Sequence, residues 1–116
     1  MLIYYQVNLI LCRHFNLANQ LVKRFYLPMK ACSDVFKANV RRLQALSLFE
    51  EFRSDRFQKR IDQMPQSQRT QEKLNIFSKI ERCLRRARKQ FKRANASKWG
   101  LGLTYFQQAS LLTNRL

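Results

Sequence analysis

Basic side chains crowd one stretch in the C-terminal half of the chain. Residues 79–98 hold nine Lys and Arg residues against a single acid, Glu81. Five of the nine are arginines, whose planar guanidinium groups match the oxygens of a phosphate and stay charged at any working pH. The chemistry that this composition suits is phosphate binding. The candidate nucleic-acid-binding residues are therefore Lys79, Arg82, Arg85, Arg86, Arg88, Lys89, Lys92, Arg93 and Lys98.

A helix would gather most of these residues on one side. At about 100° per residue, a group that we call the basic face falls within roughly 100° of arc: Arg82, Arg85, Arg86, Lys89 and Arg93. Arg88 and Lys92 flank this group. Its mean direction is nearly opposite to an apolar stripe spaced three and four residues apart, formed by Leu74, Phe77, Ile80, Leu84, Ala87, Phe91 and Ala94. The pattern predicts one long amphipathic helix that turns its apolar side to a core and its basic side outward.

The arrangement of like charges argues against a merely solvated surface. Solvated helix faces usually mix signs and pair Glu with Lys four residues apart, whereas here Arg82 precedes Arg86 and Arg85 precedes Lys89 at that spacing. Each such pair destabilises an isolated helix by a few tenths of a kcal/mol. Phosphate binding explains the pattern better than solubility, and an acidic protein or a membrane surface are the alternative partners.

The charge of the whole chain supports the same interpretation. The 116 residues include 23 Lys and Arg against 7 Asp and Glu, a formal net charge of +16. A small domain that needs only solubility usually carries about 2–8 net charges. Nine Phe, four Tyr and one Trp provide core material that a disordered chain would lack, so we expect one folded domain. Aromatic residues at helical spacing are expected in that core, and Trp99, in a predicted break, is the better candidate for exposure.

The cysteines do not form a recognisable metal or disulfide pattern. They are odd in number, far apart and not paired as C-x-x-C, and they stand at Cys12, Cys32 and Cys83. With His14, Cys12 offers two ligand types, but closed zinc sites have tighter paired spacing. We expect buried thiols in a reducing compartment, with no metal and no cofactor.

Catalytic constellations are also missing from the sequence. The chain has one histidine, and its seven acids lie on scattered positions. Asp55 and Asp62 share a helix face, but a metal nuclease would need a third carboxylate. The Gly100-Leu101-Gly102 triplet lacks the rest of a phosphate-binding loop and follows no strand. The expectation is a protein that is not an enzyme.

Helices are the expected secondary structure throughout. Two glycines and two prolines are too few for the turns of an all-β fold. The fold class predicted is all-α, a single-domain bundle of about four to five helices with one long basic amphipathic helix near the C-terminal half. The predicted helices cover residues 2–25, 34–52, 54–64, 68–96 and 104–112, with caps at Ser33 or Asp34 and at Ser54 or Asp55. A strand over residues 2–11 is the competing interpretation, but no partner strand is visible.

The N-terminal region raises the question of location. Its apolar residues 1–12 are too few for a transmembrane segment, and residues 1–33 contain no acid. Acid-poor, basic, amphipathic N-termini resemble mitochondrial transit peptides. We expect an intracellular, reducing compartment, the cytoplasm or nucleus, with the mitochondrion or another organelle as the alternative. Residues Ile3, Val7, Ile10 and Phe15 are expected to pack on the long helix or on a partner.

Three functions fit these observations. The first is a nucleic-acid-binding protein, with RNA favoured over DNA because arginine also stacks on unpaired bases. The second is a structural subunit of a larger ribonucleoprotein or organellar complex, whose partners would include protein subunits. The third is a peripheral membrane-surface or acidic-protein-binding helical protein. If the protein binds nucleic acid, Arg41, Arg42 and Arg53 are expected to contribute less to binding than the basic face does, because acids lie near them in the sequence.

Overall fold

Helices make up nearly all of the described chain. A computed structural model describes residues 2–28, 33–94 and 98–115. About 89% of these described residues are helical, and no strand occurs among them. The α-helices there are α1 (Leu2–Leu11), α2 (Phe15–Leu21), α3 (Asp34–Arg53), α4 (Asp55–Asp62), α5 (Gln66–Arg93) and α6 (Lys98–Arg115), and a π-helical turn (Val22–Tyr26) continues α2. The predicted all-α class is confirmed.

The N-terminal helix predicted over residues 2–25 is broken in two. Arg13 has a left-handed backbone with φ of 65°. Its N–H donates to the Ile10 carbonyl at 3.0 Å and the His14 N–H donates to the Leu9 carbonyl at 2.8 Å, the bonds of a Schellman helix end. The prediction was wrong because the apolar spacing continues across the break, and that spacing carries no signal for a left-handed residue that is not glycine.

Both N-terminal helices pack on α3. Ile10, Phe15 and Ala18 form a buried cluster with Leu43, and Gln6 donates to the Val40 carbonyl at 3.2 Å. The long helix, the predicted partner within the chain, takes no part in this cluster. The correction has a geometric reason, since α3 lies between the N-terminal helices and α5.

Serine caps set the boundaries of α3 and α4. The Ser33 hydroxyl accepts a hydrogen bond from the Phe36 N–H at 3.2 Å, and the Ser54 hydroxyl accepts one from the Phe57 N–H at 3.3 Å. Both caps satisfy N–H groups that the first helical turn leaves free. The predicted start of a new helix after residue 53 is confirmed.

The long helix α5 determines the length of the molecule. Its 28 residues span about 42 Å at 1.5 Å per residue, close to the 45 Å longest dimension of the fold. It begins at Gln66, two residues earlier than predicted, directly after Pro65. Its buried residues are Phe77, Ile80, Leu84, Ala87 and Phe91, as the apolar stripe predicted, whereas Leu74 is 38% exposed.

The last helix begins earlier than the glycines suggested. The predicted break extended over residues 95–102, but α6 begins at Lys98 and includes both glycines; residues 95–97 lie outside the described part. A glycine inside a helix costs only about 1 kcal/mol. Burial of Leu111 in the main core and of Leu101 against Phe91 outweighs that cost.

Candidate nucleic-acid interface

The basic face of α5 is open to solvent. All five of its residues are exposed, and so are two further candidates on α5, Lys79 and Lys92, while Arg88 is partly buried. The side chain of Lys98 lies outside the described part of the chain. Because Leu84, Ala87 and Phe91 fill the opposite side of the helix, the charged groups cannot turn inward.

Four residues of the basic face form a row along α5. Arg82, Arg86, Lys89 and Arg93 follow one another at intervals of four, three and four residues. At 1.5 Å of rise per residue, the row is about 16 Å long. One strand of a duplex advances about 3.4 Å per nucleotide along its axis, so the row matches roughly five phosphates.

Arg88 is held by α6 instead of standing free. Its Nη1 donates to Gln108 Oε1 at 2.8 Å, and its guanidinium carbon lies 4.9 Å from the centre of the Tyr105 ring. These contacts tie α5 to α6. Among the predicted binding residues whose side chains the structure describes, Arg88 therefore has a structural role in joining α5 to α6.

A hollow opens where α3 meets α5 beside the row. We call it the basic hollow; its volume is about 230 Å³, and it is lined by Arg41, Arg86, Lys89, Gln90 and Arg93. Its lining contains four cations and no acid. The structure thus brings three residues of the basic face together with an arginine from another helix.

Arg41 is the cation in this hollow that lies closest to the core. Burial and then the neighbouring charge of Arg86 lower the pKa of Arg41 from its ordinary value. Its Nε is buried and has no hydrogen-bond partner among the described residues. The expectation that acids near in sequence would neutralise Arg41 does not hold in the described chain, because none of its ion pairs involves this residue.

Positive charge from a third element also acts on Cys83, together with that of Arg41 and Arg86. Burial raises the pKa of the Cys83 thiol, while Arg41, Arg86, Arg82 and Lys23 act in the opposite direction. Lys23 belongs to the π-helical turn after α2. Cations from α3, from α5 and from the π-helical turn therefore act on the Cys83 thiol.

Sequence reasoning missed Arg41 and Lys23 as members of this surface. Both lie in segments with apolar residues on either side, and nothing in their local spacing indicates which helix they will face. The packing of α3 on α5 brings Arg41 beside Arg86, and in the same interface Cys83 Sγ donates to Gln44 Oε1 at 3.6 Å.

The ion pairs of the described residues lie away from the basic face. Glu50 contacts Arg13 at 3.6 Å and Arg53 at 3.9 Å, and Glu72 contacts Arg60 at 3.6 Å. The arginines concerned belong to the loop after α1, the end of α3 and α4. The positive charge of the row is consequently left without a paired acid in this part of the structure.

The remaining candidates for chemistry find different environments. Cys12 is exposed because it follows the last turn of α1, so the prediction of a buried thiol is wrong for this residue. Cys32 lies outside the described residues. No group of three or more His, Cys, Asp and Glu side chains suited to a metal occurs among the residues that could be searched. Tyr26 is buried and Tyr105 is exposed beneath Arg88, while the side chain of Trp99 is not described.

An apolar groove lies on another side of the molecule, between α3, α5 and α6. Its volume is about 110 Å³, and its lining includes Leu46, Phe49, Ile80 and Phe106. Phe106 is 70% exposed. Large apolar side chains at this degree of exposure are typical of contact sites when they cluster.

Comparisons with known proteins do not extend these observations. Among the described helices, none combines the length and apolar character needed to cross a membrane. No protein-family model, curated protein or solved structure matches the chain.

Proposed function

We propose that this protein binds the phosphate backbone of a nucleic acid, with RNA favoured over DNA, and that it is not an enzyme. One observation carries the proposal: a row of exposed cations on α5, opposite the buried stripe and without an acid paired to it in the described structure. Phosphate contacts of this kind position a strand but read no bases, so binding would depend little on sequence.

The length of the row supports several simultaneous contacts. Four cations over about 16 Å, together with Arg41 beside them, provide roughly five phosphate contacts. The helix also holds these groups in place, since its opposite side is packed in the core. A rigid row loses less conformational entropy on binding than cations on a loose tail would.

The preference for RNA rests on the arginines and on an exposed ring. Arg82, Arg85 and Arg86 can stack their guanidinium planes on unpaired bases as well as bind phosphate. Tyr105 of α6, 53% exposed, offers a ring beside α5, although Arg88 covers one of its sides. Single-stranded RNA presents both features that these side chains bind, phosphates and open bases.

The test is a titration of the parent protein with a generic RNA and a generic duplex DNA at several salt concentrations, followed by fluorescence anisotropy. Five contacts predict slopes of about −3.5 for single strands and about −4.5 for duplex in log affinity against log salt. Between 50 and 200 mM salt, affinity for the RNA should then fall by about 100-fold. Absence of binding by the parent at low salt would refute the proposal.

A second function is supported by a different observation. Leu11 and Phe25, exposed by 73% and 61%, join Phe106 as large apolar side chains in water, as a subunit of a ribonucleoprotein or organellar complex would have before assembly. Sedimentation of native extract with and without RNase treatment separates the two. A subunit should sediment with a large particle, and a particle that RNase does not dissociate would favour protein partners over RNA.

A further inference from the structure

The basic hollow has an unusual charge balance for a concave site. Arg41 comes from α3, whereas Arg86, Lys89 and Arg93 come from α5, so two helices bring four cations to one cavity. Like charges held this close repel one another. Burial and then the neighbouring charge of Arg86 lower the pKa of Arg41.

No ion pair among the described residues involves Arg41. Its guanidinium is half-buried, and its Nε is fully buried without an acceptor. A buried charge without a partner is unfavourable, and proteins normally provide an acid or a hydrogen-bond network beside it. The four cations that line the hollow are therefore suited to hold an anion.

We infer that the basic hollow binds one phosphate group and, resting on the proposed function, that this group is a backbone phosphate of the bound strand. A phosphate offers several acceptor oxygens and full negative charge in a small volume. Arg86 and Arg93 can each direct a fork of N–H donors at such a group. Lys89 adds a point charge, and the charge of Arg41 lies beneath.

The position of the hollow gives the phosphate a specific role. Three of the four residues in the row along α5 also line the hollow. A phosphate seated there would lie at the edge of the row, against α3, with its neighbours on the exposed side chains. The hollow would then fix the register of the strand, while the rest of the row attracts it without fixing it.

The experiment compares Arg41→Gln with Arg42→Gln. Arg42 is the matched control because it is adjacent, also partly buried, and turned to α6, where its Nη1 donates to Gln107 Oε1 at 3.4 Å. RNA affinity at about 100 mM salt should fall about 10- to 100-fold in Arg41→Gln, as for loss of a charged hydrogen bond. The salt slope should flatten by about 0.7. Arg42→Gln should keep the parent slope.

Arg41→Lys separates a phosphate contact from a structural role. It keeps the charge, so the salt slope should remain that of the parent, although the forked donor is lost. If Arg41 only stabilised the fold, the thermal midpoint would change in Arg41→Gln while the salt slope would not. Equal slopes for Arg41→Gln, Arg42→Gln and the parent would overturn the inference and leave the proposed function standing.

Pyrophosphate tests the hollow without RNA. Thermal midpoints are compared in sodium pyrophosphate and in sodium chloride at equal ionic strength, for the parent and for Arg41→Gln. A ligand that binds only the folded state raises the midpoint, so the parent should be stabilised more than the variant. Equal stabilisation of both would count against a phosphate in the hollow. If stabilisation depends on Arg41 but the parent binds no RNA, the occupant of the hollow is a free phosphate and its assignment as a backbone phosphate is overturned.

Discussion

Gly102→Ala is expected to stabilise the protein, although sequence reasoning placed this glycine in a break. The structure places Gly102 inside α6, exposed to solvent, and a Cβ built there would meet no atom within 4 Å. Alanine is therefore accommodated without strain. It favours a helix over glycine by up to about 1 kcal/mol, partly by restricting the unfolded chain.

The expected gain in the free energy of unfolding is about 0.5–1 kcal/mol, which corresponds to a rise of about 2–6 °C in the midpoint of thermal unfolding. Circular dichroism at 222 nm during heating measures it. Ala109→Gly, the reverse change at another exposed position of α6, should lower the midpoint by a similar amount. If Gly102→Ala destabilised the protein while Ala109→Gly behaved as expected, α6 would not be helical at residue 102.

Three further predictions concern packing and the cysteines. Leu84→Ala should lower the free energy of unfolding by about 3 kcal/mol, because Leu84 is 1% exposed in the main core. Leu74→Ala on the same helix should lower it by under about 1 kcal/mol, because Leu74 is 38% exposed. Urea unfolding measures both losses, and equal losses would contradict the orientation of α5. Deleting residues 1–12 should lower the thermal midpoint because Ile10 packs on Leu43 of α3, and an unchanged midpoint in a soluble monomer would show that the segment is a tail. In a Cys32→Ser chain, Ellman's reagent should modify exposed Cys12 first and Cys83 slowly, because burial raises the pKa of the Cys83 thiol. Faster modification of Cys83 than of Cys12 at about pH 8 would contradict this order of reactivity. The stability that comes from keeping Cys83 neutral is present below the unfolded-chain pKa of about 8.5 and is lost as pH rises through the higher folded-state pKa.

The sequence predicted the elements whose residues have a regular period. The stripe that includes Phe77, Leu84 and Phe91 gave the orientation of α5, and the serines at 33 and 54 gave the starts of α3 and α4. In each case a local rule, the helical repeat or a side-chain cap, agrees with the tertiary packing.

The remaining features depend on contacts between elements. A left-handed Arg13 has no signature in the sequence. The glycines of α6 are tolerated in the helix because Leu101 and Leu111 of α6 pack against residues of other helices. The basic hollow also needs Arg41 of α3 to meet Arg86 of α5, residues 45 positions apart. Periodicity within one helix shows which side of that helix is polar, but it does not show which neighbouring helix completes a site.

The most direct test of the proposed binding surface compares two triple variants with the same change in net charge. The first is Arg82→Gln, Arg86→Gln and Arg93→Gln on the basic face. The second is Arg53→Gln, Arg56→Gln and Arg60→Gln, where Arg53 and Arg60 are already paired with Glu50 and Glu72. Each is titrated with a generic RNA at several salt concentrations from 50 to 200 mM.

Loss of three phosphate contacts should flatten the RNA salt slope by about 2 in the basic-face variant, so that affinity falls by only about 7-fold over this range against about 100-fold for the parent. Its fold should survive, since the replaced side chains are exposed and like-charge pairs four residues apart are removed. The paired-arginine variant should keep a slope close to that of the parent. A parent-like slope in the basic-face variant, or equal flattening in both variants, would contradict the assignment of α5 as the binding surface.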